Sequence, residues 1–128
     1  MNPRKSPNLW RSFYHAFSGL AYALRTQRNA RLHLLFTFLV VGLAIWLDLD
    51  AEQWCLLLLA IGLVLMSELS NTAIESAVDL ASPELHPLAK TAKDVKAAAV
   101  LVSAITSILV GLLILGPALL HKLGLFGF

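Results

Sequence analysis

Apolar positions along this chain first recur at a helical interval and then run together without interruption. At about 100° per residue, Leu9, Phe13, Ala16, Phe17, Leu20, Ala23 and Leu24 fall on one face, and Arg11, Ser12, His15, Ser18, Tyr22 and Arg25 on the other. This pattern predicts an amphipathic helix over 9–29, with Asn8 available as its cap. Trp10 and Tyr14 suit a membrane interface. The helix is therefore expected to lie along a membrane surface, to pack on the helices that follow, or both. Residues 1–8 contain two prolines and the basic Arg4 and Lys5, and read as an irregular basic tail.

Three apolar runs follow, which predict membrane helices over 32–47, 54–80 and 88–116. The first is interrupted only by His33 and Thr37 and is short for a bilayer at ~1.5 Å per residue. It is expected to continue the preceding helix through Arg28 and Arg31. Asp48, Asp50 and Glu52 then form an acidic turn. The second run is apolar from Trp54 to Met66 and becomes polar from Ser67 to Glu75 with no helix breaker. A loop, Ser82-Pro83-Glu84-Leu85-His86-Pro87, leads to the third, which carries Lys90, Lys93, Asp94 and Lys96 near its start. Gly116-Pro117 marks its end or a kink. Ala99, Ser103, Ser107 and Gly111 recur every four residues, a spacing of small side chains that lets helices approach closely, within or between protomers. The expected fold is an all-α membrane protein in one domain, an N-terminal amphipathic surface helix plus three transmembrane helices.

Composition agrees. Of the 128 residues, 58% are hydrophobic and 14% charged, against ~45–50% and ~25% in soluble domains. A chain this short has no interior large enough for that excess. The net charge of +2 gives no reason to expect a nucleic-acid partner. Cys55 is the single cysteine, which rules out an internal disulfide. No cleavable leader pattern is seen in the first thirty residues. Basic residues gather before the first run and around the 81–96 loop, while the 48–53 turn is acidic. The positive-inside rule then expects the N-terminus and the 81–96 loop in the cytoplasm and the C-terminus outside, with His121 and Lys122 as a contrary signal.

The second membrane helix carries the candidate chemistry. Glu68, Asn71, Glu75 and Asp79 project from one side of it. Counted from Trp54, Glu68 lies ~21 Å along the helix and Glu75 ~32 Å, so the stripe sits at one edge of a ~30 Å hydrocarbon core. A carboxylate at that depth is a functional candidate. Across the loop stand Lys90, Lys93 and Asp94. Lysines neutralise phosphate charge, carboxylates hold Mg²⁺ together with substrate phosphates, and a further carboxylate accepts the proton of an attacking hydroxyl. These parts suffice for phosphoryl transfer, which depends on positioning and charge. Asp79, Glu84, Lys90 and Lys96 have a plainer reading as solvated or snorkelling charges, His86 as a loop histidine and His33 as an interfacial one. The chain has no Gly-rich phosphate loop and no soluble-kinase catalytic loop. A different function class, an oligomeric pore whose Glu68 stripe lines an ion path, uses the same residues.

The run Glu68-Leu69-Ser70-Asn71-Thr72-Ala73-Ile74-Glu75, followed by Val78-Asp79, His86-Pro87-Leu88-Ala89-Lys90 and Ala92-Lys93-Asp94, resembles the prokaryotic diacylglycerol kinase family over nearly the whole chain. The loop is closer to the branch that includes undecaprenol kinases. The resemblance implies a homotrimer with sites shared between neighbours, ATP as donor, Mg²⁺, and a lipid alcohol, undecaprenol or diacylglycerol, as acceptor. By motif match it implies Glu68 as general base and Glu75 as metal ligand, with Asn71 in support. Lys93 would contact phosphates with His86 near them, and Asp79 and Asp94 would order the site or meet the nucleotide. Family members commonly carry a glutamate in a T-E-R-N-like motif before the first span. Here Thr26-Gln27-Arg28-Asn29 occupies that place, and Gln27 offers the metal a neutral carbonyl oxygen in place of a carboxylate.

Overall fold

A computed structural model describes residues 8–84 and 86–125 of the chain. The basic tail expected over 1–8 lies outside the described residues except for Asn8. Four helices follow in order: α1 (Leu9–Thr26), α2 (Arg28–Trp46), α3 (Ala51–Ala81) and α4 (Pro87–Lys122). There is no strand among the described residues. α2, α3 and α4 are each long and apolar enough to cross a membrane.

The first departure from the sequence reading is at Gln27. The chain does not continue from the amphipathic helix into the first span, because Gln27 is extended at φ −113°, ψ 116° and separates α1 from α2. Helix ends leave carbonyls without partners. Arg31 supplies them from the next helix, its Nη1 donating to Leu24 O at 3.0 Å and Arg25 O at 3.2 Å. Thr26 Oγ1 donates back to Tyr22 O at 2.8 Å. The break falls where an amphipathic stripe gives way to an all-apolar one, two patterns that belong in different surroundings. Ala23 is the buried residue of α1. Trp10 and Phe17 are 79% and 67% exposed, so the bundle leaves most of the apolar face of α1 uncovered.

At the α2–α3 turn, Asp48 takes φ 54°, and Asp50 and Gln53 form a reciprocal capping box. Gln53 N donates to Asp50 Oδ1 at 2.9 Å, and Asp50 N donates to Gln53 Oε1 at 3.0 Å. That cap starts α3 at residue 51, three residues ahead of the apolar run. With 31 residues, α3 is ~46 Å long and exceeds a ~30 Å hydrocarbon core, so its polar end reaches past it. After the loop, His86 caps α4 by accepting from Leu88 N through Nδ1 at 3.1 Å, and Pro87 takes the first helical position. α4 runs through Pro117 to Lys122, so Gly116-Pro117 does not end it.

α3 and α4 form the main hairpin. α2 joins it in a small core of Ala44, Leu57 and Ile114, with Trp54, Val40 and Leu115 packed around them. Two residues of the small-residue stripe pack within the chain: Ser103 is buried, and Ser107 Oγ donates to Ala60 O at 3.0 Å. Ala99 remains exposed. Phe38, Leu59 and Leu113 point outward, as does Cys55. Helices that satisfy their backbones internally and turn apolar side chains outward are what a bilayer requires.

Candidate active site

The polar third of α3 stays helical because its hydroxyls bond one turn back. Thr72 Oγ1 donates to Glu68 O and Ser76 Oγ to Thr72 O, each at 3.0 Å. The helical spacing then aims the stripe residues at two neighbours instead of one. Glu68 points toward α2. It is 2% exposed, neither carboxylate oxygen has a hydrogen-bond partner, and His33 Nε2 lies 3.8 Å from its Oε2. Asn71, Glu75 and Asp79 point toward α4.

The lysines meet that second group in an order the sequence reading did not give. Lys96 Nζ donates to Asn71 Oδ1 at 2.9 Å and to Glu75 Oε2 at 3.3 Å, with its side chain only 12% exposed. The expectation that Lys96 is a solvated or snorkelling charge is thus corrected. Lys93 pairs with Asp79 at 2.7 Å. Lys90 and Asp94 pair with each other at 2.7 Å along the exposed face of α4, so Asp94 does not join the ridge. His86 serves as the α4 cap. Gln27 is partly buried at the α1–α2 break.

His33, expected as an interfacial histidine, lies beside Glu68 in the folded chain. It is an ionisable ring at the start of an otherwise apolar run, and the fold sets its Nε2 3.8 Å from Glu68 Oε2. His33 also lines an apolar groove of about 590 Å³ between α2, α3 and α4, whose walls include Phe36, Val40, Ile108, Leu112 and Leu115. Asn71 and Lys96 line a separate groove of about 430 Å³, with Met66, Ser70 and Ser103.

The donor set can be weighed against Mg²⁺. No group of three or more His, Cys, Asp or Glu side chains is placed to cage a metal among the described residues. Glu75 and Asn71 nevertheless share one cationic partner and offer hard oxygens. A site of one carboxylate, one amide oxygen and the remaining ligands from phosphates fits the way Mg²⁺ is usually bound. Residues 54–66 carry no acidic side chain, so acidic groups do not continue along α3 as an ion path across the bilayer requires.

The family model described as prokaryotic diacylglycerol kinase matches residues 14–115. A diacylglycerol kinase of Synechocystis is 46% identical over 116 residues, covering 90% of this chain and 66% of that protein. An undecaprenol kinase of Bacillus subtilis is 42% identical over 110 residues, covering 86% of this chain and 89% of the other. A diacylglycerol kinase of Escherichia coli is 36% identical over 95 residues, covering 74% and 78%. The chain thus spans just under two thirds of the Synechocystis protein and most of the other two.

Proposed function

The chain belongs to the prokaryotic diacylglycerol kinase family, and from that premise we propose that it transfers the γ-phosphoryl group of ATP to the hydroxyl of a membrane lipid. The observation that carries the proposal is the pairing of two features at one end of the bundle. One is a buried carboxylate, Glu68, with no hydrogen-bond partner. The other is a ridge, Asn71, Glu75 and Asp79, held by Lys93 and Lys96. A reaction between a lipid alcohol and a soluble phosphate donor needs both environments side by side, one dry and one polar.

Each residue has a role in that reaction. Lys96 and Lys93 exchange their carboxylate partners for the phosphates of ATP and neutralise their charge. Asn71 and Glu75, released from Lys96, would hold Mg²⁺ together with phosphate oxygens. When bound, the ion supplies charge stabilisation to the phosphates. Gln27 would add at most a neutral oxygen. Glu68 drives deprotonation of the lipid hydroxyl. His86 and Asp94 line the approach from the loop and from α4. The site faces the cytoplasm of a bacterial inner membrane, where the basic N-terminal residues and Lys90, Lys93 and Lys96 belong. A homotrimer completes it, with exposed apolar faces of the helices buried between protomers.

The acceptor is undecaprenol or diacylglycerol, and the 82–90 loop favours undecaprenol. The test is purified protein in detergent with γ-labelled ATP, Mg²⁺ and each alcohol in turn. Labelled lipid phosphate is expected, faster with undecaprenol. Absence of labelled product from both alcohols would overturn the kinase reading.

A further inference from the structure

The cations of this chain divide by type. Among the described residues, Lys90, Lys93, Lys96 and Lys122 each lie within 3.4 Å of a carboxylate. The arginines Arg11, Arg25, Arg28 and Arg31 form no ion pair there. No acidic residue precedes Asp48 in the sequence, so none lies near them along the chain. Arg31 is engaged by the carbonyls of Leu24 and Arg25. Arg11, Arg25 and Arg28 stand exposed, beside an apolar face whose Trp10, Phe13, Tyr14 and Phe17 are exposed as well. We propose that α1 and the first turn of α2 form a docking surface for anionic phospholipid headgroups, contacted by Arg11, Arg25 and Arg28.

An amphipathic pattern suits any bilayer surface, and the unpaired arginines add the charge that this surface must carry. A helix with its side chains is about 10–12 Å across, and screening at physiological salt sets in over about 8 Å. With the aromatic face of α1 seated among the headgroups, long guanidinium stems on its other face therefore still feel their charge. Guanidinium matches a phosphate through two parallel N–H donors, which an ammonium does not. Arg28 opens α2, whose first turn contains no acidic residue and whose N-terminal dipole also favours anions. A second copy of this chain is a poor match for the same arginines. At this end of the bundle Glu75, Asp79 and Asp94 are each paired with a lysine, and Glu68 is buried. Of the described acids there, that leaves Glu84.

The experiment places the whole protein in lipid nanodiscs of phosphatidylcholine alone, or of phosphatidylcholine with phosphatidylglycerol, and follows chymotrypsin cleavage at Trp10, Phe13, Tyr14 and Phe17. Cleavage reads the population of α1 lifted from the surface. Each arginine near an anionic surface is expected to shift that population about fivefold. Wild-type protein is therefore expected to be cut at least about tenfold more slowly in the discs with phosphatidylglycerol, with the difference shrinking at high salt. The triple variant Arg11→Gln, Arg25→Gln, Arg28→Gln should be cut at the same rate in both discs. Should it fail to assemble, Arg11→Gln alone, with about fivefold less protection, and the salt dependence of the wild type carry the test. Equal wild-type cleavage in the two discs overturns the inference, because α1 is then held by apolar contacts or by a second copy. So does a triple variant that phosphatidylglycerol still protects. Protection by added ATP in phosphatidylcholine discs, lost in the variant, would give the arginines to nucleotide phosphates and overturn it too. None of these readouts uses phosphoryl transfer, so their failure leaves the kinase reading standing.

Discussion

At the α2–α3 turn, polar groups are matched among themselves. Asp50 and Gln53 satisfy each other's backbone N–H, and Lys122 donates to the Trp46 carbonyl, sits 3.4 Å from Asp48 and lies 4.9 Å over the Trp46 ring. At the opposite end, Glu68 is buried with both oxygens unpartnered, and Lys96 is held between two ridge residues. Both ends combine acidic and basic residues on apolar helices, and they use them differently. The turn end resolves its charges into a clasp. The loop end retains a buried carboxyl group with neither oxygen hydrogen-bonded, an arrangement that costs folding free energy. Stability alone explains the first end and not the second, which is why the proposed chemistry is assigned to the second.

Replacing Glu68 is the strongest way to break this contrast. Glu68→Gln removes the charge and keeps the shape. Turnover is expected to fall by roughly 10²- to 10⁴-fold, while the thermal unfolding midpoint in detergent stays level or rises, because neither carboxyl oxygen has a hydrogen bond to lose. Labelled-lipid formation and a thermal melt on the same preparation check both halves. A large drop in the midpoint would make Glu68 a structural residue and erase the difference between the two ends.

Lys96 ranks next. Lys96→Met keeps the apolar stem and strands Asn71 and Glu75 without their shared cation. Hydrogen bonds to charged groups contribute about 1.5–3 kcal/mol, so kcat/KM for ATP is expected to fall by roughly tenfold to hundredfold. Lys90→Met is the control, since Lys90 is 76% exposed and pairs only along its own helix. It should change the same ratio by less than about threefold. Equal losses in the two variants would mean that general basicity matters and the ridge does not.

How much of this was legible beforehand differs between the two ends as well. Hydropathy alone placed three spans and the amphipathic leader, since a bilayer leaves few alternatives to apolar helices. The stripe from Glu68 to Asp79 was legible because residues three, four and seven apart share a helix side. Which partner each stripe residue takes was not. That depends on how α2 and α4 rotate against α3, and sequence spacing within one helix is silent on rotation between helices. Sequence leaves Lys96 open to a solvated or snorkelling reading, but the helical turn carries it inward. The break at Gln27 was missed because no glycine or proline marks it. What holds it is Arg31, reaching back from the next helix to the carbonyls of Leu24 and Arg25.

Gln27→Glu sharpens the loop end instead of breaking it. A carboxylate at the α1–α2 break would give Mg²⁺ a second charged ligand. The Mg²⁺ concentration for half-maximal rate is expected to fall, by roughly tenfold if one charge-assisted contact is gained. A titration of rate against Mg²⁺ at fixed ATP reads it directly. An unchanged requirement would place Gln27 away from the metal and leave Glu75 and Asn71 as its protein ligands.

The smallest effect is expected at the clasp, and the comparison needs it to be small in activity while present in stability. Lys122→Met removes the bond to the Trp46 carbonyl, the contact with Asp48 and the charge over the Trp46 ring. Asp48 is 86% exposed, so water replaces most of the electrostatic gain. The cost is expected to be about 0.5–1 kcal/mol, read as a lower unfolding midpoint. The turnover number should stay within about twofold of wild type, because nothing in the clasp touches the ridge or Glu68 and the site lies at the other end of α3 and α4. A substantial loss of turnover with an unchanged midpoint would require the helices to transmit strain along their length. The two ends could then no longer be treated as a structural half and a chemical half.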